Sequence, residues 1–378
     1  MSKKVLITGG AGFIGSHVAE DLLQAGYGVR ALDNLDPQIH GHGAGRPSYL
    51  DPEVELIRGD VRDASVLRAA IDGVDAVIHL AAAVGIGQSM YEISKYVDTN
   101  SRATAVLLEV LLENPVEKFL VASSMSIYGE GLYRSADGRL LEGEDRPLPQ
   151  LLRGVWELHD DSGKRLEPVP TPETKRPSLS SVYALTKYDQ ERLCLIFGRS
   201  YRIPTVALRF FNVYGTRQAL SNPYTGVFAM FTSRYLNGKA PVIYEDGEQR
   251  RDFVHVKDAA RACRLALEAE DAAGKAYNIG SGRSMSVLEV ANLMGRCLGK
   301  ERILPEVSAK YRACDVRHCF ADIGLAREEL GYSPRFTLED SLPELASWLE
   351  GQSSHDAFDR AQAELGVRGR AVAFPVPF

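Results

Sequence analysis

Tyr183 and Lys187 stand four residues apart in "SVYALTK". In a helix that spacing puts both side chains on one face. A tyrosine of ordinary pKa, about 10, is a poor base at neutral pH. An ammonium beside it favours the phenolate, so the pair can take a proton from a hydroxyl group. Upstream, "VASSMSIYGEG" brings Ser123, Ser124 and Ser126 to the end of an apolar run. A serine hydroxyl placed there would hold a substrate oxygen and steady the charge that develops on it. Any amphipathic helix can carry Tyr and Lys at this spacing by chance. What gives the pair meaning is the glycine pattern at the start of the chain.

"VLITGGAGFIGSH" spaces Gly9, Gly12 and Gly15 three apart between a β-branched run and a helical one. Glycines so placed permit a tight turn, close backbone approach to a pyrophosphate and close helix–strand packing. Asp33 ends the next strand-like run, where a carboxylate accepts bonds from a ribose diol and repels a 2′-phosphate. The cofactor expected is therefore NAD, not NADP. Asp60 and Val61, in "GDV", close a third strand and are expected at the adenine edge. Leu80, Ala81 and Ala82, in "HLAAAVG", are small enough to let a nicotinamide ribose lie close. Phe13, Ile14, Asn34, Asn100 and Phe210 complete the expected cofactor site, with Tyr183 and Lys187 at its nicotinamide end.

These residues need a scaffold that lines up strand ends. "KVLITGG", "GVRALDN", "VELIRGDV", "DAVIHLAA" and "EKFLVASS" read as strands separated by helical runs. That alternation predicts an α/β fold: a Rossmann-type, doubly wound parallel sheet with ligands along its C-terminal edge. We expect a cofactor domain over 1–210, a smaller mixed α/β substrate lobe over 211–350, and a tail over 351–378 with a short helix. From about 130 to 178 the rhythm breaks into a Pro-, Gly- and charge-rich insertion. Within it "WELHDDSGKRLEPV" reads as a hairpin around Asp161, Ser162 and Gly163. It has no cysteine and one histidine, His159, whereas zinc needs about four such ligands. We expect the insertion to be metal-free and to fold as a lid over the substrate pocket, with Trp156 and Leu158 turned inward.

The net charge of −6 argues against a nucleic acid as main partner. Five cysteines, an odd number with no C-x-x-C pair, argue against a disulfide scaffold and for a reducing, cytoplasmic setting. The chain opens directly into a strand, without a signal-peptide pattern, and no apolar run reaches membrane-spanning length.

Taken in order, the glycine motif, "SSMSIYG", "YALTK", "RFFNVYG" and "RRDFVHVKD" resemble the extended short-chain dehydrogenase/reductase superfamily, in its nucleotide-sugar branch. The resemblance runs from Lys3 to about residue 350. It implies Ser124 as the catalytic serine, Tyr183 as the base and Lys187 as its partner. It further implies diphosphate-binding arginines at Arg251, in "RRDF", and Arg312, in "YRACD". Relatives usually have glycine where Cys314 stands, so Arg317 is a second candidate for the latter role. Asn212 is expected at the diphosphate or the sugar, with Val84, Gly85, Ser126 and Val227 around it. A homodimer built on helices 101–113 and 183–198 is also implied.

Members of this superfamily open by oxidising a sugar carbon with NAD, and the later steps depend on further acid–base groups. Relatives that eliminate water or decarboxylate carry an acid two residues before the tyrosine of "SIYG"; 3,5-epimerisation needs a thiol or a similar acid. Met125 and Ser126 occupy this region and cannot deprotonate carbon at neutral pH. That leaves inversion at one carbon, normally C4. "AAAVGIGQSMYEI", "SNPYTGV", "RHCFADI" and the "FDRAQAEL" tail resemble bacterial dTDP-L-rhamnose 4-epimerases. Other NDP-hexose 4-epimerases, a dehydrogenase that releases NADH, and a non-catalytic protein on the same fold are the competing readings. The last commonly lacks the Tyr or the Lys, and this chain has both.

Overall fold

The apolar runs form strands because their side chains can be buried on both faces at once, as a parallel sheet requires. The computed structural model describes residues 2–220, 222, 226–311, 315–350 and 352. Its main sheet contains, in chain order, β1 (Lys4–Thr8), β2 (Gly28–Asp33), β3 (Glu55–Arg58), β4 (Ala76–His79), β5 (Lys118–Ser124), β6 (Thr205–Phe210) and β7 (Ala276–Ile279). Across the sheet they lie β3, β2, β1, β4, β5, β6, β7, and every pair is parallel. The order reverses between β1 and β4, which opens a crevice at their C-terminal ends. Helices Phe13–Gln24 and Val256–Glu268 pack together in the core on one face, through Val18, Leu22 and Ala259. On the other face Ala103–Glu113 and Val182–Tyr201 bury Leu107, Leu111, Cys194 and Phe197. This is the expected Rossmann-type architecture.

β7 comes from within the stretch assigned to the smaller lobe. A boundary at residue 210 therefore divides the sequence without dividing the sheet. The smaller lobe is built around Arg250–His255, which pairs in parallel with Asn212–Tyr214 and His318–Cys319 and antiparallel with Ser284–Ser286. Helices Val227–Leu236, Val287–Cys297 and Leu338–Glu350 enclose its core of Phe228, Phe231, Tyr235, Met294 and Leu345.

The insertion holds a three-stranded antiparallel sheet in which Leu132–Arg134 pairs with both Leu140–Glu142 and Glu167–Val169. The expected turn forms: the Asp160 carboxylate accepts from Ser162 N and Lys164 N at 2.9 and 3.0 Å. The hairpin is short, however. His159 and Arg165 form one bridge, after which Glu167–Val169 leaves to pair elsewhere. Leu158 packs with Tyr133 and Leu166 in a small core of the insertion's own. The helix expected near 356–363 lies outside the described residues.

Candidate active site

A cleft of about 670 Å³ opens at the crevice and runs into the smaller lobe. That volume suits a small organic ligand. The turn from β1 into helix Phe13–Gln24 forms its floor. Gly9 has φ +71°, and a Cβ on Gly15 would lie 2.2 Å from the Gly9 carbonyl oxygen. Only glycine permits this packing, which leaves backbone N–H groups at a helix N-terminus facing the cleft. Asp33 closes β2, and its carboxylate accepts from Ala11 N and Leu35 N at 3.1 and 2.9 Å. These residues fit a dinucleotide.

Gly12, Phe13, Ile14, Asn34, Asp60, Val61, Leu80, Ala81, Ala82 and Phe210 also line the cleft. The Asp60 carboxylate is already held by Arg62 Nε and Nη2 at 2.9 and 2.7 Å, which lowers its pKa to about 2. Asn100 is set back from these residues. It is fully buried behind the cleft wall, where its side chain accepts from Ala83 N at 2.7 Å and donates to Thr186 Oγ1 at 3.0 Å. It positions the loop after β4 and does not line the cleft.

Ser124, Tyr183 and Lys187 meet at the centre. Ser181 caps helix Val182–Tyr201 by accepting from Ala184 N at 3.1 Å, so Tyr183 and Lys187 sit in its first two turns. Tyr183 and Ser124 both line the cleft here, and burial holds the phenol above its ordinary pKa while the nearby Ser124 hydroxyl draws it partly back. Burial lowers the Lys187 ammonium to about 8. Its ammonium donates to Gln190 Oε1 at 2.7 Å.

The three serines divide. Ser123 turns away and donates to Glu191 Oε2 at 2.7 Å, where Arg209 also binds in bidentate fashion. Ser126 reaches the cleft because β5 ends at Ser124 and Met125–Tyr128 is a 3₁₀ turn. Ser124 Oγ accepts from both Ser126 N and Ser126 Oγ, at 3.2 and 2.9 Å.

Val84, Gly85, Asn212, Val227 and Arg251 line the cleft as well. Arg317 does not. Its guanidinium is fully buried and bound to Glu157, Glu245 and Asp246, which removes it from the diphosphate role. Arg312 lies outside the described residues. Nor is the insertion a lid, because none of its described residues lines the cleft. Trp156 stacks obliquely near Tyr311 with centroids 6.3 Å apart. Sequence reasoning missed Gln190 and Glu191, whose spacing from Lys187 on one helix was the available signal. It also missed Gln249, whose side chain donates to Tyr244 O at 2.9 Å in the cleft wall.

A family model described as the NAD dependent epimerase/dehydratase family matches residues 5–148 and 161–280. The chain belongs to this family. Its cofactor is NAD, as the glycine turn and Asp33 require. Within the family it is similar to a dTDP-L-rhamnose 4-epimerase of Burkholderia thailandensis, at 36% identity over 92% of this chain and 95% of that one. Among solved structures it is similar to a UDP-glucose 4-epimerase of Thermotoga maritima with UDP-glucose, with TM-score 0.74, 31% identity and coverage of 92% and 98%. A UDP-glucuronic acid 4-epimerase of Bacillus cereus, in complex with UDP-glucuronic acid and NAD, gives TM-score 0.73 at 28% identity, covering 92% and 99%. No helix among the described residues is long and apolar enough to cross a membrane.

Proposed function

We propose that this enzyme inverts C4 of a nucleotide-linked 6-deoxyhexose, interconverting dTDP-L-rhamnose and dTDP-6-deoxy-L-talose through a 4-keto sugar. The observation that carries the reaction type is the company Tyr183 keeps. Ser124, Met125 and Ser126 face it across the cleft, and the lining carboxylates lie elsewhere: Asp33, Asp36 and Asp60 after β2 and β3, and Asp315 beside Arg251. With no thiol and no further acid lining the cleft among the described residues, a neighbouring carbon is not deprotonated and the oxidised sugar stays intact.

NAD supplies the two-electron acceptor and donor. Tyr183 takes the proton from the C4 hydroxyl and returns it after the sugar has turned. Ser124 donates to that oxygen as it becomes a carbonyl. Lys187 would hold the cofactor's ribose, and its positive charge beside Tyr183 would favour the phenolate. Arg251 grips the diphosphate and Asn212 and Ser126 hydrogen-bond the sugar. The dTDP-6-deoxysugar is favoured by the similarity to the Burkholderia enzyme over 92% of the chain. The Thermotoga neighbour supports a UDP-hexose as the second reading. We also propose a homodimer through Ala103–Glu113 and Val182–Tyr201, which leave Leu112, Leu185 and Ile196 exposed.

Incubation with dTDP-, UDP- and GDP-sugars in deuterated water, with products identified by NMR, tests both parts. The expected outcome is turnover of dTDP-L-rhamnose with no carbon-bound deuterium. Turnover of UDP-hexoses alone selects the second reading. Deuterium at C3 or C5 overturns the mechanism.

A further inference from the structure

We propose that the 130–178 insertion acts as a buttress for substrate binding, in which Glu130 and Glu157 position Arg251 by fixing the backbone of residues 315–318. This rests on the reading of Arg251 as a diphosphate ligand.

The segment 315–318 is held from both sides. From the insertion, buried Glu130 accepts from Arg317 N and His318 N at 2.6 and 3.1 Å. Arg146 donates to the Asp315 carbonyl at 2.9 Å. Glu157 accepts from Arg317 Nη2 and Nε at 2.6 and 3.1 Å and sits 3.1 Å from His318 Nε2. From the cleft side, Arg251 Nη1 donates to the carbonyls of Arg317 and Arg250, each at 3.0 Å, and Nη2 donates to the Val316 carbonyl. Asp315 lies 3.6 Å from the same guanidinium.

A guanidinium has five N–H donors in one plane. Three backbone carbonyls occupy both hydrogens of Nη1 and one of Nη2. The Nε–H and the second Nη2–H remain, and they form the edge that binds a phosphate in bidentate fashion. The carbonyls therefore set which edge of Arg251 is free and where it points. Two of those three carbonyls belong to the segment that Glu130, Arg146 and Glu157 hold. The cluster itself lies outside the cleft, and Arg251 is the lining side chain that donates to the carbonyls of the segment it holds.

The test uses the full-length, NAD-loaded enzyme and three variants: Glu157→Ala, Arg251→Ala and the double variant. Binding is measured by calorimetry with dTDP and with UDP, and turnover with the active nucleotide sugar. Glu157→Ala should weaken nucleotide binding and raise KM about 10-fold, with kcat within about twofold and NAD content unchanged, since only a charged contact to the diphosphate is loosened. In the double variant, binding should be no weaker than in Arg251→Ala, because the two side chains act as one unit. Glu157→Gln, which keeps an acceptor for Arg317, should restore most of the affinity and replaces Glu157→Ala if that variant folds poorly. Normal nucleotide binding in Glu157→Ala, or losses that simply add in the double variant, overturns the buttress while leaving Arg251 in place. Normal binding in Arg251→Ala overturns both readings.

Discussion

The Lys187 ammonium and the Gln190 side-chain oxygen meet at 2.7 Å in the interior, three residues apart on one helix. Gln190 is itself fixed, donating to Thr104 Oγ1 at 2.8 Å and lying 3.2 Å from His79 Nε2. His79 in turn contacts Thr8 Oγ1 at 2.7 Å. A chain of buried polar groups thus runs from the catalytic lysine to the start of the cofactor turn. Lys187 is thereby held in one defined place.

A buried ammonium costs stability. The lysine's pKa falls from 10.5 to about 8, so at pH 7 the native state carries a charge that the unfolded chain would hold in water. The cost is fully present below about pH 8 and disappears as pH rises towards 10.5, where the lysine is neutral in both states. At about 1.4 kcal/mol per pKa unit it amounts to about 3 kcal/mol. Wild type should therefore gain about that much stability relative to Lys187→Met between pH 7 and 10.5. Denaturant unfolding of both cofactor-free proteins across this range measures it. Parallel pH profiles would mean that the lysine is solvated in the native state.

Tyr183→Phe removes the proton acceptor without emptying the space the ring fills. The variant should fold, keep its NAD and lose at least about 100-fold in kcat. Steady-state kinetics together with cofactor content checks this. Near-normal turnover would show that another group takes the proton.

Asp33 does two things with one carboxylate: it anchors Ala11 N and Leu35 N, and it faces the expected ribose diol. Asp33→Ser should lose about 10-fold in NAD affinity while NADP affinity holds or improves, because the like-charge repulsion is gone. Reconstitution with each cofactor measures the ratio. An unchanged preference for NAD would place the discrimination elsewhere.

The parts of the site legible in the sequence are those in which local chemistry dictates position. Gly9 and Gly15 are needed by a turn, Asp33 ends a strand, and Tyr183 and Lys187 share a helix face. Each depends on neighbours a few residues away. Arg317 misleads in the sequence because its partners are distant: Glu157 stands 160 residues before it and Asp246 71 before it, so nothing near Arg317 marks it as buried. β7 falls beyond the sequence boundary at 210 for the same reason, since its pairing with β6 joins residues some seventy positions apart. Ser126 reaches the expected wall through a 3₁₀ turn that the run of small residues does not announce.

β6 has a further consequence for how the enzyme moves. It ends at Phe210 on the cofactor side, and after the single residue Phe211 the chain resumes as Asn212–Tyr214 in the substrate sheet. Phe211 N donates to Ile279 O at 3.0 Å, and Asn212 Nδ2 donates to Asp252 O at 2.9 Å, so both sides of the seam are tied down. The floors beneath the two ligands are joined by a covalent ruler three residues long. A displacement of either floor is carried to the other through Phe211, which couples the seat of the cofactor to that of the sugar.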